Sequence, residues 1–191
     1  EEAGIHSGDS TSVLPPYSLP APVVAAIEEQ TRQIALELGV VGLMNVQFAV
    51  KDEEVYVLEV NPRASRTVPF VAKVIGTPVA KIAARLMAGE KLADFGLKLQ
   101  KLKHVGVKES VFPFARFPGV DTVLGPEMKS TGEVMGIDHT FDAAVRKAMI
   151  ASDLAVRPGT PFLLSLSRQT KDEATPLIHL LHEAGCPLYA T

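Results

Sequence analysis

Apolar residues recur along this chain with two periods, one near 3.6 residues and the other near two. After Pro22, apolar residues recur at helical spacing until Gly39, which predicts a helix over residues 22–38. Similar spacing predicts three further helices, over residues 67–75, over residues 78–87, and from an N-cap at Thr140 to near residue 152. Strand-like stretches alternate with these helices, so we expect a mixed fold.

A β-hairpin is predicted over residues 43–60. The segments LMNVQFAV and VYVLEV are rich in β-formers, and a charged run separates them. We predict the register that pairs Gln47 with Glu59, which also pairs Lys51 with Val55 through a three-residue loop. A slip of one residue would put Gln47 and Glu59 on opposite faces of the sheet.

Glycine and proline punctuate the rest of the chain. Residues 1–21 and 117–136 are predicted to be irregular loops, and residues 105–111 are predicted to form a strand. Residues 153–161 contain a Pro-Gly-Thr-Pro run, which predicts a linker between a domain over 1–152 and a second domain.

The second predicted domain covers residues 162–191. A short apolar strand opens it, an amphipathic helix follows over residues 172–184, and another strand begins at Pro187. This order is that of an opening βαβ unit. The chain lacks an initiating methionine and stops as this strand begins, so we expect it to be a piece of a longer protein.

Composition excludes several classes of partner. Of the 191 residues, 47% are hydrophobic and 21% are charged, which is typical of a folded globular chain. The net charge of -3 is spread along the sequence, so we expect no nucleic-acid partner. No apolar run is long enough for a membrane span. A single cysteine, Cys186, excludes an internal disulfide and favours a reducing compartment, so we expect a cytoplasmic protein.

The predicted hairpin carries a candidate metal site. Side chains alternate along a strand, so Glu59 and Asn61 point to the same face, and Gln47 lies beside them in the chosen register. One carboxylate and two amides offer the oxygen ligands that Mg²⁺ prefers, and they leave positions open for substrate phosphates. This open set of ligands predicts ATP-dependent phosphoryl transfer.

Two arginines, Arg63 and Arg66, follow the strand at once. Their guanidinium groups suit two-point hydrogen bonding to carboxylate or phosphate oxygens, so we predict that they hold the acceptor anion. The alternative is that Glu59 and Asn61 are ordinary strand-end polar residues and that both arginines are solvated. Burying the amide of Gln47 without a partner would cost about 1–3 kcal/mol, which argues against that alternative.

Three segments carry a resemblance to a known family. Met44–Phe48, Leu58–Phe70 and Pro126–Gly136 resemble the large chain of carbamoyl phosphate synthetase, and the resemblance extends over essentially the whole chain. That family has two homologous ATP-grasp halves. The segment Thr67–Phe70 is similar to the second half, which phosphorylates carbamate to carbamoyl phosphate.

The resemblance implies a fold and an activity. The expected fold class is α+β, with the C-terminal portion of an ATP-grasp module built on an antiparallel sheet. The first βαβ unit of a Rossmann-like, methylglyoxal-synthase-like regulatory domain is expected to follow. The full enzyme would be an ATP-grasp ligase that makes carbamoyl phosphate for pyrimidine and arginine biosynthesis, whereas the 191 residues alone are expected to be inactive.

The resemblance also implies roles for individual residues. Gln47, Glu59 and Asn61 match the family's divalent-metal ligands, and Arg66, with Arg63 less closely matched, corresponds to the arginines that face carbamate and phosphate. Gln47 and Glu59 are expected to contact the nucleotide as well. A loop beside the ribose and phosphates supplies the other expected nucleotide contacts: Gly4, Ile5, His6 and Ser7. Without the resemblance, His6 reads as a surface histidine.

The expected cofactors are ATP and Mg²⁺ or Mn²⁺, with K⁺ as a further ion. The expected partners are carbamate and bicarbonate-derived intermediates, the glutaminase small chain and the rest of the large chain, in an oligomeric and allosterically regulated enzyme. One alternative is another ATP-grasp ligase related to biotin carboxylase, and a second is a regulatory or assembly module. Segment 128–135 is either a surface loop or part of the lining of the active site or of a carbamate passage.

Overall fold

The computed structural model describes residues 4–98, 101–166, 168 and 170–191. The chain divides into two compact units, one ending at Ser152 and the other beginning at Asp153. In the described part of the chain, no helix is both long and apolar enough to cross a membrane. The first unit contains β1 (Ser12–Leu14), α1 (Ala21–Glu37), β2 (Asn45–Lys51), β3 (Glu54–Asn61), α2 (Val68–Ile75), α3 (Val79–Met87), β4 (Val105–Val111), β5 (Gly132–Asp138) and α4 (Phe141–Ala151).

The larger sheet of the first unit has the strand order β1-β4-β5, and all its pairs are antiparallel. Helix α4 covers one face, where Val107, Ala144 and Ala148 are completely buried. Helix α2 covers the other face, where a Cβ atom on Gly106 would lie 2.3 Å from a methyl carbon of Val74. The sheet is therefore packed between two helices, and glycine permits the closest approach.

Two strands of this sheet lie where the sequence predicted irregular loops. Strand β5 begins inside the segment 117–136, and β1 lies within residues 1–21. Their pairing to β4 stabilises both strands, through the registers Glu109↔Val134 and Val13↔Val107. The prediction was wrong because local composition does not report a partner strand from a distant part of the chain.

The β2–β3 hairpin forms a separate two-stranded sheet. Gln47 lies opposite Glu59, as predicted, and a bulge after Gln47 leaves Leu58 as an extra residue on β3. Lys51 consequently pairs with Glu54, so the predicted pairing with Val55 and the three-residue loop are wrong. The turn has two residues, both with positive φ, as two-residue hairpin turns of the I′ type require.

The predicted helices are present with small shifts at their ends. Helix α1 starts one residue before the predicted position, and Gly39 follows it with a φ of 58°. Thr140 caps α4, since its Oγ1 accepts a hydrogen bond of 3.3 Å from the backbone N–H of Ala143.

The second unit contains β6 (Phe162–Leu164), α5 (Lys171–Glu183) and β7 (Leu188–Ala190). Strands β6 and β7 pair in parallel, with Leu163 opposite Tyr189, and α5 connects them. Leu181 and Cys186 are buried in this unit, and the Sγ of Cys186 lies 3.7 Å from the carbonyl oxygen of Arg157. Cys186 therefore packs as a small apolar residue.

Candidate functional site

A pocket of about 260 Å³ lies between the hairpin and the larger sheet of the first unit. Its walls come from the loop at residues 6–8, the polar face of the hairpin, the residues that precede α2, and strands β4 and β5. The pocket brings together seven of the residues that the sequence singled out: His6, Ser7, Gln47, Glu59, Asn61, Arg63 and Arg66. Gly4 and Ile5 precede the lining residues and do not belong to it.

The polar face of the hairpin forms the floor of the pocket. Asn45 lies opposite Asn61, and Gln47 lies opposite Glu59, so four oxygen-bearing side chains form two adjacent cross-strand pairs. The Nδ2 atom of Asn61 donates a hydrogen bond of 2.6 Å to the Oε1 of Glu59. This bond orients the Asn61 amide against the carboxylate and leaves the second carboxylate oxygen for another partner.

Ser7 orients the Gln47 side chain. The Nε2 atom of Gln47 donates a hydrogen bond of 2.6 Å to the Oγ of Ser7. An amide that donates through its nitrogen turns its oxygen the other way, and among the described residues no donor reaches the Oε1 of Gln47. The amide oxygens of Gln47 and Asn61 can therefore serve as ligands.

The donor set of the pocket suits a hard cation that keeps other ligands. Among the residues that the structure describes, no three His, Cys, Asp or Glu side chains lie close enough to hold a metal ion. On the hairpin wall, the carboxylate of Glu59 lies on the same face as the amides of Gln47 and Asn61, and Glu133 contributes a second carboxylate from β5. Mg²⁺ often binds few protein ligands together with water and substrate phosphates, so these residues fit it.

Both arginines line the pocket. Within the described ranges, neither guanidinium group forms an ion pair with a carboxylate. Arg63 donates through Nη1 to the carbonyl oxygen of Ala64 at 3.0 Å, and Arg66 donates to the Sδ of Met128 at 3.1 Å. Thioether sulfur is a weak acceptor, so most of the charge of Arg66 remains available to an anion in the pocket.

The loop at residues 6–8 is fixed by its own hydrogen bonds. The backbone N–H of Gly8 donates to Nδ1 of His6 at 3.0 Å, and the N–H of His6 donates to the carbonyl oxygen of Gly125 at 2.9 Å. In the neutral ring the proton of His6 is therefore on Nε2, which makes that nitrogen a donor.

Lys108 is the main lining residue that the sequence reasoning missed. It lies on β4, is only 1% exposed, and contributes to the pocket wall. Gly106, Lys108 and Ser110 alternate with Val107, so they face away from α4 and toward the pocket side of the sheet. The sequence feature that could have pointed to Lys108 is a charged residue inside a strand that is otherwise rich in valine. Glu133 and Met128, from a segment whose role stayed open, also line the pocket.

The fold has counterparts among solved structures. One, described as "Biotin Carboxylase domain of single-chain bacterial carboxylase", superposes with a TM-score of 0.55 at 24% identity, over 76% of this chain and 39% of that chain. Another, of a single-chain, multi-domain long-chain acyl-CoA carboxylase, gives a TM-score of 0.59 at 19% identity, over 74% and 18% of the two chains. The fold is therefore of the ATP-grasp type found in biotin carboxylase domains, with an antiparallel sheet.

Sequence comparison identifies the family within that class. The family described as "Carbamoyl-phosphate synthase L chain, ATP binding domain" matches residues 2–95. The carbamoyl phosphate synthase large chain of Methanoculleus marisnigri is 54% identical over all 191 residues, which make up 18% of its length. The large chains of Archaeoglobus fulgidus and Rhizobium meliloti are each 56% identical over the whole chain, which covers 18% and 17% of their lengths.

The chain belongs to the family of the carbamoyl phosphate synthase large chain. The resemblance inferred from the sequence motifs is thus confirmed. The chain spans less than a fifth of the length of the curated relatives that it matches.

Proposed function

We propose that the chain forms part of an enzyme that phosphorylates carbamate with ATP and yields carbamoyl phosphate. The observation that supports this function is the pocket itself. Glu59, Gln47 and Asn61 present oxygen ligands on one wall, and Arg63 and Arg66 present guanidinium groups that have no carboxylate partner among the described residues. A divalent cation bound to ATP and an anionic acceptor are the two charge types that such a pocket complements.

Each group has a specific task in the proposed reaction. A carbamate oxygen attacks the γ-phosphorus of ATP, an O–P bond forms, and the bond to the β-γ bridging oxygen breaks to release ADP. Arg66 holds the carbamate oxygens, and Arg63 assists it at the phosphate. Gln47, Glu59 and Asn61 would hold Mg²⁺ or Mn²⁺, and the bound ion would neutralise charge on the phosphate oxygens.

The loop before β1 would contact the nucleotide. His6 would donate from Nε2 to the ribose or a phosphate, and Ser7 would keep the Gln47 amide oxygen turned into the pocket. Gly4 and Ile5 would offer backbone groups to the nucleotide, and K⁺ would act as a further ion. Glu133 and Met128 would line the route by which carbamate reaches Arg66.

The remaining proposals concern the whole protein. Residues 1–152 would be the C-terminal part of the carbamate-phosphorylating ATP-grasp domain, and residues 153–161 would be a linker. Residues 162–191 would begin a Rossmann-like, methylglyoxal-synthase-like regulatory domain, which the parallel pairing of β6 with β7 around α5 supports. The proposed partners are the rest of the large chain and a glutaminase small chain, in a cytoplasmic oligomer that serves pyrimidine and arginine biosynthesis.

The partial reverse reaction tests the proposed function directly. A full-length large chain that carries these residues should form ATP from carbamoyl phosphate and ADP, and the 191 residues alone should not. Glu59→Gln should slow ATP formation by at least about 10-fold and raise the Mg²⁺ concentration needed for half-maximal rate. Glu54→Gln is the matched control, because Glu54 lies on the same strand but outside the pocket. An unchanged rate in Glu59→Gln would refute the metal assignment.

A biotin carboxylase activity is the second candidate, since one of the similar solved structures is described as a biotin carboxylase domain and the other as an acyl-CoA carboxylase. The two activities differ in product. Carbamoyl phosphate in the forward assay supports the first, whereas carboxylated biotin would support the second. An effector-binding or assembly module would show neither product.

A further inference from the structure

Asp9 lies outside the lining of the pocket, and none of the roles described above uses it. Its side chain is buried, with 2% of the residue exposed. The Oδ2 atom accepts a hydrogen bond of 2.8 Å from the backbone N–H of Lys129, and Oδ1 accepts one of 2.8 Å from the N–H of Ser130. A single carboxylate thus joins two segments that are about 120 residues apart in sequence.

The residue before Asp9 strengthens this connection. The carbonyl oxygen of Gly8 accepts hydrogen bonds from the Oγ of Ser110 at 2.9 Å and from the Oγ of Ser130 at 3.1 Å. Four hydrogen bonds, donated by β4 and by residues 129–130, therefore fix the positions of Gly8 and Asp9. We name this arrangement the Asp9 clamp.

The clamp determines where the pocket side chains lie. The N–H of Asp9 donates to the carbonyl oxygen of His6 at 2.9 Å, which closes a tight turn over the intervening residues. Ser7 lies in that turn and meets Gln47 at 2.6 Å. A turn that is fixed at Asp9 therefore fixes the hydroxyl that orients the Gln47 amide oxygen.

The clamp also acts on the other side of the pocket. Met128 immediately precedes the clamped amides, and its Sδ accepts from the Nη1 of Arg66 at 3.1 Å. The space against Gly8 is so narrow that a Cβ atom there would lie 2.8 Å from this sulfur. The Asp9 clamp thus determines both the position of Met128 beside Arg66 and the position of Ser7 beside Gln47.

The charge of Asp9 suits the clamp. Burial raises the pKa of Asp9, but hydrogen bonding from Ser130 and Lys129, together with the electrostatic effect of His6, outweighs burial and leaves the pKa below its ordinary value. The carboxylate is ionised at neutral pH and offers an acceptor to each N–H. An asparagine would offer one oxygen and would turn an N–H₂ group toward the other amide.

We propose that Asp9 is a positioning residue for phosphoryl transfer. Its clamp holds Ser7 against Gln47 and Met128 against Arg66. The distance between the nucleotide side and the acceptor side of the pocket is thereby fixed. This inference rests on the proposed function, since the spacing matters for a reaction between a bound nucleotide and an anion. Small misplacements of reacting groups cost large factors in rate.

The test uses the partial reverse reaction in the full-length large chain. Asp9→Asn should raise KM for ADP and the half-maximal Mg²⁺ concentration by about 10-fold, while kcat falls less, because the clamp orders binding groups rather than supplying a reacting one. Hydrogen exchange at the amides of Lys129 and Ser130 should become faster.

Asp121→Asn is the matched control. Asp121 also accepts a backbone N–H, from Val123, and contacts the Nζ of Lys129, but it makes no bond to the clamped turn. This variant should leave KM for ADP within about twofold of the original value. Equal KM values and Mg²⁺ requirements in Asp9→Asn and in the original chain would overturn the inference.

Two further results keep the test decisive. If Asp9→Asn does not fold, Ser130→Ala takes its place, because it removes one bond to Gly8 and retains the backbone N–H. It should raise KM for ADP by about threefold, and an unchanged KM would overturn the inference. A full-length original chain that forms no ATP would instead refute the proposed function, so the two failures are distinguishable.

Discussion

Gly136 on β5 faces the backbone of α4 and leaves no space for a methyl group. A Cβ atom on Gly136 would lie 2.1 Å from the carbonyl oxygen of Ala144 and 2.7 Å from the amide nitrogen of Ala148. Both are backbone atoms, so no side chain can rotate away. The helix or the strand would have to move by about 1 Å to restore an ordinary van der Waals contact.

The cost of Gly136→Ala follows from this geometry. The surrounding core is closed, since Val107, Ala144 and Ala148 have no exposed surface. Overpacking of such a core costs about 1–3 kcal/mol, and a clash with helix backbone belongs at the upper end, so we expect the free energy of unfolding to fall by about 3 kcal/mol. For a chain of this size, Tm should fall by about 6–12 °C.

Urea unfolding followed by far-ultraviolet circular dichroism measures the effect. Gly132→Ala is the matched control on the same strand, because the nearest atom to its new Cβ would be the Cβ of Val111 at 4.0 Å. We expect Gly132→Ala to change the free energy of unfolding by less than about 1 kcal/mol. If the two variants differ by less than about 0.5 kcal/mol, the proposed close packing of α4 on β5 is wrong.

Three further predictions concern the acceptor site, the clamp and the hairpin turn. Arg66→Ala in the full-length chain should raise KM for carbamoyl phosphate by at least about 10-fold and leave KM for ADP within about twofold of the original value. A raised KM for ADP with an unchanged KM for carbamoyl phosphate would exclude Arg66 from the acceptor site. Because the pKa of folded Asp9 lies below its ordinary value of 3.8, its stabilisation is present above that pH and is lost as the pH falls through the folded pKa. The difference in unfolding free energy between the original chain and Asp9→Asn should therefore be constant near neutral pH and shrink in acid, and a constant difference down to the lowest pH would contradict this. Glu53 has a φ of 65°, so Glu53→Gly should raise the free energy of unfolding in urea by about 1 kcal/mol. Glu54→Gly, in the adjacent strand, should lower it. Equal changes in the two variants would contradict the turn geometry.

The hairpin could be predicted from sequence because both its strands and its turn are local. Period-two alternation and a charged spacer determine which residues pair, and Gln47 does lie opposite Glu59. The bulge at Leu58 could not be predicted, because an extra residue on one strand depends on contacts with the rest of the fold. The turn is consequently shorter than expected.

Some residues of the candidate site could likewise be predicted from the sequence, and others could not. Glu59, Asn61, Arg63 and Arg66 occur in one continuous motif, so residue type and strand parity bring them together before any tertiary structure is known. Lys108 and Asp9 are isolated in sequence, and their places depend on β4 and on the segment after Glu127. Such residues become visible only when burial and hydrogen-bond partners are known.

The pocket lies between two sheets that, in the part of the chain that the structure describes, share no hydrogen-bonded strand pair. The spacing of the pocket walls therefore depends on a few side-chain contacts: Gln47 of the hairpin meets Ser7 of the loop, and Arg66, before α2, meets Met128, before β5. The apolar packing around Gly136, by contrast, stabilises the fold from the opposite face of the larger sheet and contributes no residue to the pocket lining. It follows that Gly136→Ala should lower Tm with little change in KM for ADP, whereas Ser130→Ala should change KM with a smaller change in Tm. The two measurements together separate a fold that is held by packing from a site that is held by polar contacts.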